Sequence, residues 1–363
     1  MTTLDASRVL TPSGWSGPAH VRIHDGVIVA VDPVARVATD RAIVPGFVDL
    51  QVNGIDDVDV STADGSDWNR LDQLLLAQGV TTWCPTLVTM GLDRYNRPLD
   101  RIAAAMARPQ LRRPTIAGVH LEGPFLGAAT GAHRRDLIVP IDLDWLSALP
   151  AHVRIMTLGA EQPLAAEAIA MLVTAGRLVS VGHTNAEADQ FDDAVAEGAR
   201  LTTHLFNAMS GVHHRSPGVA VFALTNPQVS ASLIADGVHV HPRVLRLAFQ
   251  ALGSERAVLV TDAVAWRSGH VGVVGIELRD GAPRLPDGTL AGSALTMDEA
   301  IRTCVAAGVG EEEALLAASR NPAGLLGLAD RGAIAPGLRA DLVALTPDLE
   351  VEQVWTAGDA AFP

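Results

Sequence analysis

The middle of the chain repeats one pattern, in which a short apolar or β-branched run is followed by a polar break and then by a helical periodicity. Eight such runs are predicted as strands, at residues 47–53, 80–87, 116–122, 153–159, 178–183, 201–206, 229–236 and 257–262. Several are almost continuously apolar, as expected for parallel strands covered on both faces. Strands that alternate with helices indicate βαβ units, and eight of them predict an α/β fold, a TIM-like (β/α)8 barrel.

Helical patterns lie between many of these strands. Residues 68–78 place three leucines on one face, as in an amphipathic helix. Residues 184–197 begin with Thr184 and Glu187, which have the T-x-x-E spacing of a capping box and predict a helix that starts there. Residues 296–306 begin with the same spacing and predict a second helix of this kind.

The two ends of the chain follow a different pattern. Residues 4–44 and 333–359 contain short alternating stretches broken by Gly and Pro, which are typical of antiparallel β ribbon. We therefore predict that both ends meet in one small β-sandwich domain beside the barrel. The predicted boundaries are 1–45 and 331–363 for this domain and 46–330 for the barrel.

The composition of the chain narrows the classes of protein that fit the pattern. A net charge of −14 argues against nucleic acid as a partner, although a local arginine can still bind a small anion. No apolar run approaches the ~18 residues of a membrane span, and no secretory signal precedes the first strands, so a cytoplasmic protein without a membrane partner is expected. All 27 basic residues are arginine, which excludes a P-loop lysine, a lysine Schiff base and a carboxylated lysine between two metal ions.

Acidic and imidazole side chains collect at the carboxyl ends of the predicted strands, where barrels of this type carry their active sites. They are His120, Glu122, His183, His204, Asp236, His239 and Asp262. Each of them alone is more often a structural residue or a cap than a ligand. Together on one rim they favour a bound cation, because burying several uncompensated charges in one place is costly.

Two imidazoles and one carboxylate match a catalytic zinc-type site, which keeps one coordination position open for water. A further group must then move protons. Asp262 follows the last strand, which adjoins the first in a closed barrel, and is placed to accept a proton and return it to a leaving amine. We expect one divalent metal ion per subunit, zinc first, with iron, manganese and cobalt as alternatives.

Motifs along nearly the whole chain resemble the N-acetylglucosamine-6-phosphate deacetylase family of the amidohydrolase superfamily. They are PGFVDLQVNG (45–54), HLEGPF (120–125), GAH (131–133), VGHTNA (181–186), THLFNAMSGVHHRSPG (203–218), ADGVHV (235–240), VTDA (260–263), LAGSALTMDEA (290–300) and NPAGLLGL (321–328). The resemblance implies metal-dependent hydrolysis of the acetamide of N-acetyl-D-glucosamine 6-phosphate to glucosamine 6-phosphate and acetate, in amino-sugar catabolism or cell-wall recycling.

The resemblance also implies roles for individual residues. Glu122, His183 and His204 would hold the metal ion, and Asp262 would be the acid/base. His133 would help to polarise the amide carbonyl. These five residues form the expected catalytic centre.

The phosphate end of the substrate has its own implied contacts. Arg215 matches the family's phosphate-binding arginine, and a guanidinium fork suits a pair of phosphate oxygens. The other implied substrate contacts are Ala132, His133, Asn207, Ala208, Asp236, His239, Leu290, Ala291 and Gly292. In this family a neighbouring subunit can complete the phosphate site, so a homodimer is expected.

The end of the first strand departs from the H-x-H pattern by which many amidohydrolases bind a second metal ion. Gln51 and Asn53 stand at these positions, and their spacing of two points both side chains to one face. Neutral amides bind a transition metal poorly beside imidazole, so one metal ion is favoured. This resembles the mononuclear branch of the family, in which the glutamine contacts metal-bound water.

Two loop positions also depart from the family pattern. Thr130 stands where relatives often have a lysine before G-x-H, and Ser216 follows Arg215 where a glutamate is frequent. Neither position touches the expected chemistry, but both can alter loop order or the dimer contact.

Three alternatives to the deacetylase hypothesis stay open at this point. One is the same chemistry on N-acetylgalactosamine 6-phosphate or another N-acyl amino sugar. Another is an amidohydrolase acting on a cyclic amide or an N-acyl amino acid. The third, from a different class, is a non-catalytic barrel, whose signature would be loss of a ligand or of Asp262.

Overall fold

A computed structural model describes residues 1–363 of the protein. The N-terminal segment of the chain forms six strands. They are β1 (Thr2–Ala6), β2 (Arg8–Thr11), β3 (Gly14–Trp15), β4 (Ala19–His24), β5 (Val27–Pro33) and β6 (Ala42–Pro45). Strand β4 alternates buried apolar residues with more exposed polar ones, the pattern of a half-buried strand. It pairs antiparallel with β1 and β5 in one sheet, whereas β2, β3 and β6 belong to a second sheet.

The central region is the predicted parallel barrel. In chain order the strands of this region are β7 (Phe47–Val52), β8 (Gly54–Ile55), β9 (Val58–Asp59), β10 (Val80–Val88), β11 (Thr115–Ile116), β12 (Val119–Glu122), β13 (Val153–Leu158), β14 (Leu178–Val181), β15 (Leu201–Thr202), β16 (Ser230–Leu233) and β17 (Ala257–Leu259). Strands β8 and β9 form a separate antiparallel hairpin. Strands β7, β10 and β12 to β17 pair in this order, and every pair is parallel. Beyond β17, the backbone N–H of Asp262 donates to the Gln51 carbonyl at 3.0 Å and links the last strand to the first. The expected fold class is confirmed.

Helices fill the outer layer of the barrel. They are α1 (Asp67–Ala77), α2 (Asn96–Met106), α3 (Leu143–Ser147), α4 (Ala165–Thr174), α5 (Ala188–Ala196), α6 (Val219–Thr225), α7 (Pro242–Arg256), α8 (Met297–Ala306), α9 (Glu311–Ala317) and α10 (Arg320–Leu325). Helix α1 buries Leu71 and Leu75, as its periodicity predicts. None of the ten helices combines the length and the apolar character that a membrane span requires.

Helix α5 begins later than the capping-box spacing predicts, so that prediction is wrong in its start. The Thr184 hydroxyl donates to the Glu161 carboxylate instead of capping a helix. Glu187 is the N-cap, and its backbone N–H donates to Gln190 Oε1 at 3.0 Å. The Thr184 Oγ1 atom also accepts from the Ala186 N–H at 3.1 Å, two residues ahead, so Thr184 closes a turn in the loop before the helix. The predicted helix at 296–306 is confirmed as α8, with Thr296 at its N-cap.

The third predicted strand is interrupted in the structure. Ala117 and Gly118 separate β11 from β12. Gly118 has a φ of +148°, and a Cβ at this position would lie 2.1 Å from Cγ of Arg154. Only glycine fits this close approach, so the strand breaks where the neighbouring side chain crosses it.

An insertion follows β17 that the sequence pattern did not indicate. It contains β18 (His270–Val271), β19 (Val274–Gly275), β20 (Glu277–Arg279) and β21 (Ala282–Arg284), which form two antiparallel hairpins. A small apolar cluster of Val264, Val271, Ile276 and Ala291 packs the insertion onto the barrel rim. Each strand is too short for a readable alternation, which explains why the pattern missed it.

The C-terminal strands join the N-terminal ones. Strands β22 (Leu342–Leu345), β23 (Val351–Thr356) and β24 (Asp359–Phe362) complete the sheet with the order β24-β23-β22-β6-β2-β3. The β2–β6 pair is parallel, so the expected ribbon is not purely antiparallel. A core of 13 buried residues lies between this sheet and the three-stranded one. The residue boundaries 1–45, 46–330 and 331–363 stay a prediction.

Candidate active site

Three side chains from neighbouring strand ends bring their ligand atoms together at the carboxyl rim of the barrel. Glu122 ends β12, while His183 and His204 follow β14 and β15. Glu122 Oε1 lies 3.2 Å from His183 Nε2 and 3.1 Å from His204 Nε2, and the two Nε2 atoms are 3.1 Å apart. All three residues are buried.

This triangle of atoms fits one face of a tetrahedral metal site. Ligand atoms at ~2.0–2.1 Å from a tetrahedral zinc ion lie ~3.3 Å from one another. A second trio, Glu122, His133 and His183, also offers ligand atoms within 4.8 Å of one another. Its His133 Nε2 atom is 3.5 Å from the other Glu122 oxygen, so the trio that includes His204 is the tighter one.

The backbone turns sharply at three of the site residues that follow barrel strands. His183, His204 and Asp262 have φ angles of 50°, 30° and 49°, in the left-handed region that non-glycine residues rarely adopt. The surrounding structure holds the strained turns: the His204 N–H donates to Ser232 Oγ at 2.7 Å, and the His183 carbonyl accepts from the Gly127 N–H at 2.8 Å. Strain of this kind concentrates at functional sites.

The charge on Glu122 is set by its imidazole neighbours. Burial by itself raises the pKa of this carboxyl, but hydrogen bonds from His133, His183 and His204 outweigh burial and hold the pKa well below its ordinary value. Glu122 is therefore an anion. Burial lowers the pKa of His183 to about 4, so that imidazole is neutral, as a metal ligand must be.

Asp262 lies beside the trio, and the pKa of its carboxyl is shifted in the direction opposite to that of Glu122. Its Oδ1 atom accepts from Gln51 Nε2 at 3.1 Å and from Asn53 Nδ2 at 2.7 Å, whereas no protein group donates to Oδ2. Gln51 also donates to Glu122 Oε1 at 2.8 Å and so ties the two carboxylates together. Burial, followed by the nearby Glu122 charge, raises the pKa of Asp262 to about 8.

His133 is oriented by the loop that follows β10. Its Nδ1 atom lies 2.7 Å from Thr89 Oγ1 and 3.4 Å from the Thr89 backbone N–H. Because a backbone N–H can only donate, we assign Nδ1 as the acceptor, and Nε2 then carries the proton. That N–H faces the cavity beside Glu122, where it can donate to a bound carbonyl oxygen.

These groups share one cavity at the carboxyl rim of the barrel. Its walls include eight of the predicted substrate contacts, namely Ala132, His133, Asn207, Ala208, His239, Leu290, Ala291 and Gly292. The trio and Asp262 lie in the same cavity. Val271 and Val274 of the insertion form another part of the wall.

Three predicted site residues do not line the cavity. Gln51 is buried beneath it and acts through its hydrogen bonds to the two carboxylates. Asp236 accepts from His239 Nδ1 at 2.7 Å and orients that ring toward the cavity. Arg215 lies on an exposed loop, where its guanidinium is 2.9 Å from His214 Nε2.

His120, which the strand-end pattern also placed on this rim, has a different environment. Its Nδ1 is 3.0 Å from the Leu50 carbonyl, and its Nε2 is 2.8 Å from Thr157 Oγ1. Burial lowers the pKa of His120 to about 4, and the ring is a neutral bridge inside the barrel. Both of its ring nitrogens are engaged by these neighbours, so His120 is not part of the ligand set.

Glu161 is a site residue that the sequence reasoning missed. Its Oε1 accepts from the Ala128 N–H at 2.9 Å and the Asn185 N–H at 2.8 Å, and its Oε2 accepts from the Thr184 hydroxyl. The carboxylate thereby joins the loops after β12, β13 and β14 next to His183. In the sequence, Glu161 is only an acidic residue shortly after the fourth barrel strand. Neither hydrophobic periodicity nor a motif distinguishes it from other acidic residues.

The fold and the site together define an amidohydrolase, and comparisons with known proteins agree. The Amidohydrolase family model matches residues 42–361. An N-acetylgalactosamine-6-phosphate deacetylase of Escherichia coli is 36% identical over 99% of this chain and 98% of its own length. The human N-acetylglucosamine-6-phosphate deacetylase is 38% identical over 89% of this chain and 84% of its own length.

Solved structures give the same result. An N-acetylglucosamine-6-phosphate deacetylase variant of Mycobacterium smegmatis, in complex with N-acetylglucosamine 6-phosphate, superposes with a TM-score of 0.93 at 34% identity, over 100% of this chain and 99% of that one. The Thermotoga maritima enzyme of the same name also gives 0.93, at 30% identity and 99% coverage of both chains. The chain belongs to the N-acetylglucosamine-6-phosphate deacetylase family of the amidohydrolases, which confirms the resemblance seen in its motifs.

Proposed function

We propose that this protein hydrolyses the acetamide of N-acetyl-D-glucosamine 6-phosphate to D-glucosamine 6-phosphate and acetate, a step of amino-sugar catabolism or cell-wall recycling. One observation carries the proposal: the Glu122–His183–His204 trio and Asp262, whose Oδ1 is held by Asn53, face the same cavity. The Mycobacterium smegmatis relative with bound N-acetylglucosamine 6-phosphate supports the choice of substrate.

Glu122, His183 and His204 would hold one divalent cation, with zinc expected and iron, manganese and cobalt as alternatives. Such an ion supplies Lewis acidity, which lowers the pKa of a water molecule and polarises a carbonyl oxygen. Gln51 and Asn53 each donate an amide hydrogen bond to Asp262, and neither residue has an imidazole that could bind a second ion. We therefore expect one ion per subunit.

The residues around the trio can carry the proton transfers of amide hydrolysis. The free Oδ2 of Asp262 accepts a proton from the attacking water, whose oxygen adds to the carbonyl carbon. The Nε2–H of His133 donates to the carbonyl oxygen and stabilises the charge that develops there. Asp262 then returns the proton to the sugar nitrogen as the C–N bond breaks, so acetate and the free amine leave. Gln51 and Asn53 keep Asp262 oriented throughout.

The phosphate site is proposed to be shared between two subunits. Arg215 lies outside the cavity of its own chain, on a loop whose residues Gly211 to Pro217 are all exposed. A guanidinium exposed in this way is available to the cavity of a second copy, in a homodimer with an isologous interface. This arrangement agrees with the role that the family resemblance gives to Arg215.

A second substrate is supported by one specific observation. The Escherichia coli relative that matches 99% of this chain is an N-acetylgalactosamine-6-phosphate deacetylase. The two sugars differ only in the orientation of the C4 hydroxyl. The wall residues Asn207, Ala208 and His239 lie on loops that can read this difference.

Acetate release from the two phosphorylated epimers tests the proposal. The protein is stripped of metal and reconstituted with zinc, iron, manganese or cobalt, and kcat/KM is measured for each sugar with and without phosphate. We expect the stripped protein to be inactive, one metal to restore turnover, and N-acetylglucosamine 6-phosphate to have the higher kcat/KM. Preference for the galactosamine epimer would instead support the second substrate, and no acetate from either sugar would reject the deacetylase proposal.

A further inference from the structure

Arg134 is the only side chain with a permanent positive charge among the residues that line the active-site cavity. The same lining contains two carboxylates, Glu122 and Asp262, and Arg215 is absent from it. Apart from the cation that the trio would hold, Arg134 is therefore the only fixed positive charge that one chain offers to a sugar phosphate in this cavity. Charge of the right sign at the right place is what a phosphate dianion requires.

We propose that Arg134 binds the substrate phosphate within its own chain, a role that rests on the proposed function. The neighbouring residue His133 is the proposed donor to the amide carbonyl, and Arg134, whose side chain is half exposed, is the next lining residue along the backbone. Two turns fix this segment: the His133 N–H donates to the Thr130 carbonyl at 3.1 Å, and a 3-10 helix begins at Arg135.

Asp136 holds the guanidinium in a position that leaves half of it available. Arg134 Nε donates to Asp136 Oδ1 at 3.0 Å, and Arg134 Nη2 donates to Asp136 Oδ2. This bidentate pair occupies one edge of the planar fork. The other edge, formed by Nη1 and the second Nη2 proton, has no protein acceptor and matches two phosphate oxygens.

The adjacent arginine provides a matched contrast. Arg135 is also exposed, but it does not line the cavity, and its Nε is 3.4 Å from Thr130 Oγ1. The two arginines are thus adjacent in sequence and alike in exposure and charge, but only Arg134 lines the cavity.

The test compares Arg134→Ala, Arg134→Lys and the control Arg135→Ala in the metal-loaded protein. We expect Arg134→Ala to raise KM for N-acetylglucosamine 6-phosphate by roughly ten- to hundredfold, the range for a lost charged hydrogen bond. The kcat value should change by less than about threefold, because the contact is equal in the ground and transition states. KM for unphosphorylated N-acetylglucosamine should not change, Arg134→Lys should recover part of the loss, and Arg135→Ala should match the wild type.

An unchanged KM for the phosphorylated sugar in Arg134→Ala would overturn the inference, as would an equal rise for the unphosphorylated sugar. Calorimetric binding of glucosamine 6-phosphate to the wild type and to Arg134→Ala separates this failure from that of the proposed function, because it needs no turnover. A wild type that releases no acetate yet loses glucosamine 6-phosphate affinity in Arg134→Ala would support Arg134 while rejecting the deacetylase reaction. Equal affinities would reject the role of Arg134 whatever the activity.

Discussion

The site contains two carboxyl groups of opposite character within one hydrogen-bonded unit. Glu122 is surrounded by imidazole donors, which keep the pKa of its carboxyl low. Burial, followed by the Glu122 charge, raises the pKa of Asp262 to about 8, although the hydrogen bond from Asn53 acts in the opposite direction. Gln51 donates to both and fixes their separation. Because their environments move the two pKa values apart, the two carboxyl groups can have different roles. The anion can hold a cation, and the other carboxyl can exchange a proton.

Replacement of Asp262 by asparagine separates these two roles. Asp262→Asn keeps the shape of the side chain but removes its proton affinity, so we expect turnover to fall roughly 10²–10⁴-fold, the range for a lost acid/base group. Metal content should stay near that of the wild type, because Asp262 is not a member of the trio. Acetate release and elemental analysis measure the two quantities, with exposed Asp348→Asn as the control. A variant that retained most of its activity would contradict the acid/base assignment.

At the scale of elements, the barrel strands could be predicted because buried strands consist almost entirely of apolar or β-branched residues, a pattern that is visible in the sequence. Strand β10, for example, is buried along nearly its whole length, and its sequence contains only apolar residues and threonine. The break at Gly118 could not be predicted, because it depends on the path of Arg154 from the next strand. Contacts between elements, and not local preference, decide such positions.

The candidate site also contains residues that could be predicted from the sequence and residues that could not. The trio and Asp262 lie at the ends of strands or within three residues of them, so the strand pattern and the motifs located them. Thr89, Arg134 and Glu161 lie on loops, and their importance depends on distances across the rim that no spacing along the chain encodes. Loop residues that act by orienting others are therefore what sequence reasoning misses first.

Strand β7 carries a buried carboxyl whose titration should be visible in the stability of the metal-free protein. Asp49 accepts from Thr261 Oγ1 at 2.6 Å, and burial raises its pKa to about 7 from an ordinary value of 3.8. Since the folded state holds this proton more tightly, the contribution of Asp49 to stability is full below pH ~4 and is lost as pH rises towards 7. The loss amounts to roughly 4–5 kcal/mol, at ~1.4 kcal/mol per pKa unit.

Denaturant unfolding of the wild type and Asp49→Asn between pH 4.5 and 8 measures this effect. The asparagine side chain does not titrate, so the free energy of unfolding of the wild type minus that of the variant should fall up to pH ~7 and then level off. Other titrating groups cancel in the difference. A difference that is constant across this pH range would show that Asp49 is already ionised in the folded protein at low pH.

At the scale of the whole molecule, one chain holds the reaction centre but not the phosphate-binding arginine that its family resemblance implies. The trio, Asp262 and Arg134 line one cavity, whereas Arg215 lies on an exposed loop outside it. If two subunits exchange these loops, each cavity receives cations from both chains. Catalysis and assembly would then be linked, since a lone subunit would bind the sugar phosphate with only part of its phosphate site.

Mixed dimers decide whether Arg215 acts on its own cavity or on that of its partner. Asp262→Asn and Arg215→Ala should each be nearly inactive as homodimers at substrate concentrations far below KM. In a dimer with one chain of each kind, one cavity combines an intact Asp262 with the Arg215 of the partner chain. We therefore expect co-refolded, differently tagged mixed dimers to recover up to about half of the wild-type activity per dimer. If Arg215 acted within its own chain, both cavities of the mixed dimer would stay defective, and no activity would return on mixing.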